Sequence, residues 1–342
     1  MQMNKALLTI TITLFLLFSG LAQAASSEVN VYSSRKEALV KPLLDKFTAE
    51  TGIKVNLVTG KDDALITRLQ KEGKRSPADL LITADAGRLY RAKQANLLQV
   101  INSDAVNSNV PAHLRDAENY WVGLTMRARP IFYVKEKVQA SELSTYEALT
   151  ASKWAGRICI RSSSNIYNQS LIASVIAADG ETAAEAFVAG LVKNFARPPA
   201  GGDTDQLKAA AAGMCDIAIA NTYYFGRLAT SNKAQDQQVV NKLGVFWPNQ
   251  QGRGTHVNVS GIGITQAAKN VPAATQLIEF MLTQQAQTWY AEVNNEYPVV
   301  TGVAPSATLT SWGEFKADAT NLTKLGELNR RAVEVMDRAG WK

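Results

Sequence analysis

Apolar positions along the chain switch between a strand period and a helix period. Val29-Asn30-Val31-Tyr32 predicts a short strand, and Ser33 and Ser34 follow it as candidate helix caps. Leu39, Val40, Leu43, Leu44 and Phe47 then recur at helical spacing, with Gly52 as the stop. Pro42 lies inside that pattern, so the helix either kinks or starts late. Residues 53–58 predict a second strand, and Asp62 is placed to cap a helix carrying Ala64, Leu65 and Leu69. Residues 78–83 form a nearly continuous apolar run, the mark of a strand covered on both faces. The β-α-β-α-β order predicts an α/β fold with doubly wound, mostly parallel sheets. It resumes later: a strand at 157–160, a polar loop at 162–165, a helix at 167–178, a strand at 216–220, and a new helix after Asn221-Thr222. With 342 residues and no internal repeat, two α/β lobes are the natural reading.

The first residues stand apart from this pattern. Lys5 is followed by an apolar run at 6–18 broken only by threonines, and Ala22-Gln23-Ala24 is a small-x-small site. That is the form of a cleaved Sec-type signal peptide, with cleavage expected after Ala24 and a periplasmic destination. No later stretch approaches the roughly 18 apolar residues of a membrane span. The two cysteines, Cys159 and Cys215, fit one disulfide in an exported protein, with two buried thiols as the alternative. The net charge of +6 comes from Lys and Arg interspersed with Asp and Glu, without basic clusters interleaved with aromatics, so nucleic acid is not an expected partner.

Ligands of open α/β sheets bind beyond the carboxyl ends of strands. Tyr167 stands one loop after the strand at 157–160, and Tyr223 and Tyr224 stand just after the strand at 216–220. Each is predicted near a helix N-terminus, where negative charge is favoured. A phenol with a pKa of about 10 ionises at neutral pH only beside a strongly charged partner. A hard trivalent cation such as Fe(III) is one such partner. Tyrosines at such places also serve as packing residues or as platforms for sugars, and the pattern alone leaves those readings open. The only histidines, His113 and His256, are not spaced as a ligand pair, and no Cys-x-x-Cys motif occurs. No nucleophile elbow, Walker loop or dinucleotide fingerprint occurs either, so an enzyme is not expected. Gly252-Arg253-Gly254 reads as a turn or hinge approach.

Six segments, in order, resemble the bacterial ferric-ion-binding periplasmic proteins, the substrate-binding components of Fe(III) ABC transporters. They are Val31-Tyr32-Ser33-Ser34-Arg35, the stretch at 121–129, Arg161 through Ser170, Asn221-Thr222-Tyr223-Tyr224, Gly252 through Gly261, and Asn294-Asn295-Glu296-Tyr297-Pro298. The resemblance spans essentially the whole chain after the leader. It implies a two-lobed periplasmic binding protein of type II, with the ligand in the cleft between lobes. The lobes would comprise residues 25–125 with about 255–300, and 126–254 with about 301–342, with hinges near 124–127 and 256–259. It also implies Fe(III) held by the phenolates of Tyr167, Tyr223 and Tyr224, and delivery to an inner-membrane ABC permease and its ATPase by a monomeric carrier.

The chain departs from many relatives at one place. Where they carry a His-Tyr or similar ligand after the Ser-Ser-Arg motif, this sequence has Lys36-Glu37. Glu37 is read as solvating a helix, so about half of an octahedral shell is left to other ligands. A synergistic anion such as carbonate would fill it, clamped by Arg35 and Arg127 with hydrogen bonds from Ser33 and Ser34. The rival reading is a protein of the same fold for thiamine, a polyamine or an oxyanion. A polyamine would draw on Asp62, Asp63, Asp85 or Glu296.

Overall fold

The computed structural model describes residues 28–342, so the expected leader and the expected cleavage after Ala24 lie outside the described residues. The chain first lays down β1 (Glu28–Ser33), α1 (Lys41–Thr51), β2 (Lys54–Thr59), α2 (Asp62–Glu72), β3 (Leu80–Ala84), α3 (Ala86–Gln94), β4 (Leu98–Gln99), α4 (Asp104–Asn109) and β5 (Val122–Ala128). Pro42 occupies the first turn of α1, where no backbone donor is needed, so the helix starts late rather than kinking. Gly52 ends it in the left-handed conformation at φ 74°. Two proposed caps take other partners. Ser33 finishes β1 and accepts from the Arg35 backbone N–H at 3.1 Å. Asp62 opens α2 but accepts from Thr83 Oγ1 at 2.7 Å and the Ala84 N–H at 3.1 Å, tying the helix to the end of β3.

A second unit follows: β6 (Ile131–Val134), β7 (Ile158–Cys159), α5 (Ile166–Asp179), α6 (Glu181–Lys193), α7 (Asp203–Ala211), β8 (Ile217–Ile219), α8 (Thr222–Ala229), α9 (Ala234–Lys242) and β9 (Leu243–Phe246). The chain then returns through β10 (Val257–Thr265), α10 (Val271–Met281) and α11 (Gln284–Asn294), and ends in α12 (Ala307–Thr310), α13 (Thr323–Glu327) and α14 (Asn329–Arg338).

The strands form two sheets. The first has the order β2-β1-β3-β10-β4, with β5 also on β10. Its β1 pairs in parallel with β2 and β3, whereas β10 runs antiparallel to β3, β4 and β5. The second has the order β7-β8-β6-β9, with only β7 and β8 parallel. The antiparallel β10 arrives from far along the chain and is fully buried along its length, so it binds the end of the sequence into the first sheet. The chain therefore crosses between the sheets at 128–131 and again at 246–257.

Buried polar contacts join the two units. Asp85, the cap of α3, lies beneath the surface and accepts from the Gly87 N–H, from Asn258 Nδ2 and, across the units, from Ser170 Oγ of α5 at 2.8 Å. Burial pushes its carboxyl above the usual range, opposed by these donors and by Arg88 and Arg127. Among the described residues no helix is long and apolar enough to cross a membrane.

Cys159 and Cys215 form a disulfide across 56 residues, joining the end of β7 to the approach of β8. Closing a loop of that size restricts the unfolded chain. Replacing both cysteines with serine is expected to lower stability by about 2–4 kcal/mol, read from denaturant midpoints under non-reducing conditions. An unchanged midpoint would contradict this role.

Candidate metal site

The parallel strands β7 and β8 end side by side, and each leads into a helix whose first turn carries tyrosine. After β7 the chain turns through 160–165, and the Asn165 side chain caps α5 by accepting from the Tyr167 N–H at 3.0 Å. After β8, Asn221 precedes α8, and Tyr223 and Tyr224 fall in its first turn. The structure thus brings the three sequence-predicted tyrosines together. Tyr223 Oη donates to Tyr167 Oη at 3.2 Å, and the rings of Tyr223 and Tyr224 lie 4.3 Å apart. Tyr223 is buried, while Tyr167 and Tyr224 are half-buried and border a cavity of about 140 Å³.

This setting opposes spontaneous ionisation. Burial pushes the Tyr167 phenol up to about 12, with the neighbouring Tyr224 adding to the rise and Arg127 opposing it. Burial, then Tyr167 and Tyr224, drives Tyr223 well above the ordinary phenol value, again against Arg127. Tyr167 and Tyr223 are therefore held as neutral phenols at neutral pH.

Arginines surround the cluster in different electrical situations. Arg35, buried just after β1, donates both arms of its fork to Glu296, at 2.9 and 2.7 Å, and also reaches Ser260 Oγ at 2.7 Å. Burial disfavours the charge on Glu296, but Arg35 prevails and holds the carboxyl below its usual range. Arg127, on β5 and 2% exposed, donates to Ser260 Oγ at 3.0 Å, while its Nε and Nη1 have no hydrogen-bond partner. Its guanidinium lies 5.9 Å from the Tyr223 ring centre. Arg227, one turn beyond the tyrosine pair in α8, sits 4.9 Å from the Tyr223 ring and 5.7 Å from that of Tyr224. Arg161 lies 5.6 Å from the Tyr167 ring.

Of the residues put forward as an anion clamp, Ser34, Arg35 and Arg127 border the cavity, and Arg127 keeps two unpartnered buried donors. Arg35 is committed to Glu296, and Ser33 is a buried strand residue turned to the Arg35 backbone. Glu37 lies exposed in a short 3-10 turn and does not line the cavity, whereas Lys36 does. His256 is buried and held down to about 3 by burial and by Arg129 and Arg253, and it does not border the cavity. Among the described residues, no three His, Cys, Asp or Glu side chains gather as a metal site. Arg253 sits in a turn and pairs with Glu147 and Asp179.

Two participants escaped sequence reasoning. Arg227 was legible, because a residue three and four positions after a tyrosine pair shares its helix face. Ser260, which joins Arg35 to Arg127, carries no local signal, because its partners are 225 and 133 residues away. A further close contact spans the cleft. Gly226 of α8 lies against Asn295, and a Cβ at 226 would fall 2.5 Å from the Asn295 Cβ. The tyrosine helix reaches the first unit because that position is glycine.

Comparison with known proteins extends this picture. The family described as bacterial extracellular solute-binding protein matches residues 43–317. Iron uptake protein A1 of Synechocystis sp. is 50% identical over 315 residues, covering 92% of this chain and 88% of the relative. A solved Trichodesmium structure (IdiA, or FutA), in complex with iron and citrate ligands, is 53% identical with a TM-score of 0.90, covering 92% of this chain and 100% of that one. The ferric binding protein from Campylobacter jejuni is 40% identical with a TM-score of 0.86, covering 92% and 100%. The chain belongs to the bacterial extracellular solute-binding proteins, in the branch that holds the ferric-ion-binding periplasmic proteins.

Proposed function

We propose that this protein captures Fe(III) in the periplasm and delivers it to an ABC-type permease. In this reading it holds the ion through the phenolates of Tyr167, Tyr223 and Tyr224 together with a synergistic anion. The observation that carries the reading is the convergence of three phenols from two helix N-termini on one small cavity. Relatives named for iron uptake and ferric binding support it, as does a 53% identical structure described with iron and citrate.

The chemistry follows from charge. Three phenolates neutralise a trivalent ion, and hard oxygen donors suit Fe(III). An added carbonate or citrate would bring negative charge, which Arg127, with its free Nε and Nη1, and Arg227 would offset. Arg35 takes a supporting part, because Glu296 already balances it. The two carboxylates bordering the cavity are both engaged, Glu296 by Arg35 and Asp62 by Arg88 and Thr83, which argues against a polyamine.

Capture then requires no turnover. The lobes, residues 25–125 with about 255–300 and 126–254 with about 301–342, would close about the two crossings between sheets. A ligand that binds the closed form better shifts the population towards it. The permease and its ATPase would recognise the closed, loaded monomer.

Competition against a ferric chelator tests the ligand set. Tyr223→Phe and Tyr224→Phe are each expected to weaken binding by more than the roughly 10- to 100-fold typical of outer-shell changes. Wild-type affinity in Tyr224→Phe would contradict the assignment.

The pH dependence has a definite sign. Burial keeps Tyr167 and Tyr223 protonated at neutral pH, so each releases a proton on ligating and affinity falls as pH falls. Calorimetry in buffers of different ionisation heat should show Tyr167→Phe releasing one proton fewer than wild type. Equal release would exclude Tyr167 as a phenolate ligand.

A further inference from the structure

Beneath the tyrosines lies a buried polar cluster centred on Arg129, in the link between β5 and β6. We propose that Arg129 is a positioning residue that sets the spacing of the two tyrosine-bearing helices; its meaning for metal binding rests on the ferric reading above.

Arg129 and Asp203 form an ion pair at 2.8 Å, both with no exposed side-chain surface. The same Nη1 donates to Asn221 Oδ1 at 2.9 Å, and Nη2 donates to Asn168 Oδ1 at 2.7 Å. Asn168 adjoins Tyr167 in α5, and Asn221 immediately precedes α8, two residues before Tyr223. One rigid guanidinium fork thus touches the start of both helices. Asp203 completes the frame by accepting from the Asn221 N–H at 2.7 Å and from Arg161 Nη1 at 3.3 Å. Asn168 Nδ2 in turn donates to the carbonyls of Arg161 and Ser162, which fixes the loop leading to Tyr167.

The Asn221 side chain argues that this is more than core packing. An asparagine before a helix ordinarily accepts from a backbone N–H of the first turn. Asn165 does so for α5, but Asn221 makes no such cap and gives its oxygen to Arg129. Local helix stability is forgone for a fixed link between α8 and α5. The main chain of Arg129 anchors the fork: its N–H donates to His256 O, and its carbonyl accepts from Tyr146 Oη.

Metal-free crystal structures of the wild type, Arg129→Lys and Asn221→Ala, each paired with ferric competition, test this. Lysine keeps the charge but lacks the fork. The Tyr167–Tyr223 hydroxyl separation, 3.2 Å here, is expected to open beyond hydrogen-bonding range in both variants. Ferric affinity should fall roughly 10- to 100-fold. As a control, Lys93→Gln breaks the Lys93–Asp116 pair outside the cleft, and should lower the melting temperature while leaving separation and affinity unchanged. Unmoved hydroxyls in the two test variants would overturn the proposal. If Arg129→Lys does not fold, Asn221→Ala decides alone, since it cuts only the α8 arm of the fork and removes no helix cap, and should displace Tyr223 while Tyr167 stays in place. A wild type that binds no iron would end the ferric reading, yet the hydroxyl separation would still decide the role of Arg129.

Discussion

Burying phenols within hydrogen-bonding distance of one another makes each harder to ionise, and the cleft is organised around that constraint. Tyr167 and Tyr223 share a hydrogen bond and are both pushed upward by burial and by neighbouring phenols. A weakly charged solute gains little from such a site. A small ion of high charge can displace the protons and then meets ready-made anionic oxygens. Three arginines stand over the tyrosine rings, and Arg127 opposes the upward push on Tyr167 and Tyr223. Glu296 balances Arg35, whereas the buried Arg127 beside the cavity has two unpartnered donors, Nε and Nη1.

Geometry for this chemistry comes from the sheet. Two parallel strands deliver two helix starts to the same edge, and the disulfide joins the end of one strand to the approach of the other. The Arg129 cluster then relates the helix starts to each other from below, and Gly226 brings α8 against Asn295 of the first unit. Rigid framing of a metal site by groups that never touch the metal is a general requirement for well-oriented ligands.

Much of this was legible in the sequence, for local reasons. The apolar periodicity gave the strands and helices around residues 29–83, and the strand-then-tyrosine order placed all three phenols at one edge. What escaped depends on distant partners. β10 joins the first sheet from position 257 onward, so no local pattern marks it as the antiparallel neighbour of β3. Arg35 looked like a free anion clamp because its counter-ion is 261 residues away. Asp62 read as a cap by residue type but accepts from the distant end of β3, while Ser33 finishes β1 and accepts from the backbone N–H two residues on. The Arg129–Asp203 pair was invisible because its members are 74 residues apart and ordinary in composition.

The most direct test of the central claim is a visible absorption titration of the iron-free mature protein with a chelated ferric salt, with and without bicarbonate. Tyrosinate ligation predicts a phenolate-to-Fe(III) charge-transfer band that saturates at one ion per chain, and a carbonate ligand predicts that bicarbonate strengthens or shifts it. Saturable ferric binding without such a band would contradict ligation by Tyr167, Tyr223 and Tyr224, and no binding under either condition would contradict the ferric function itself.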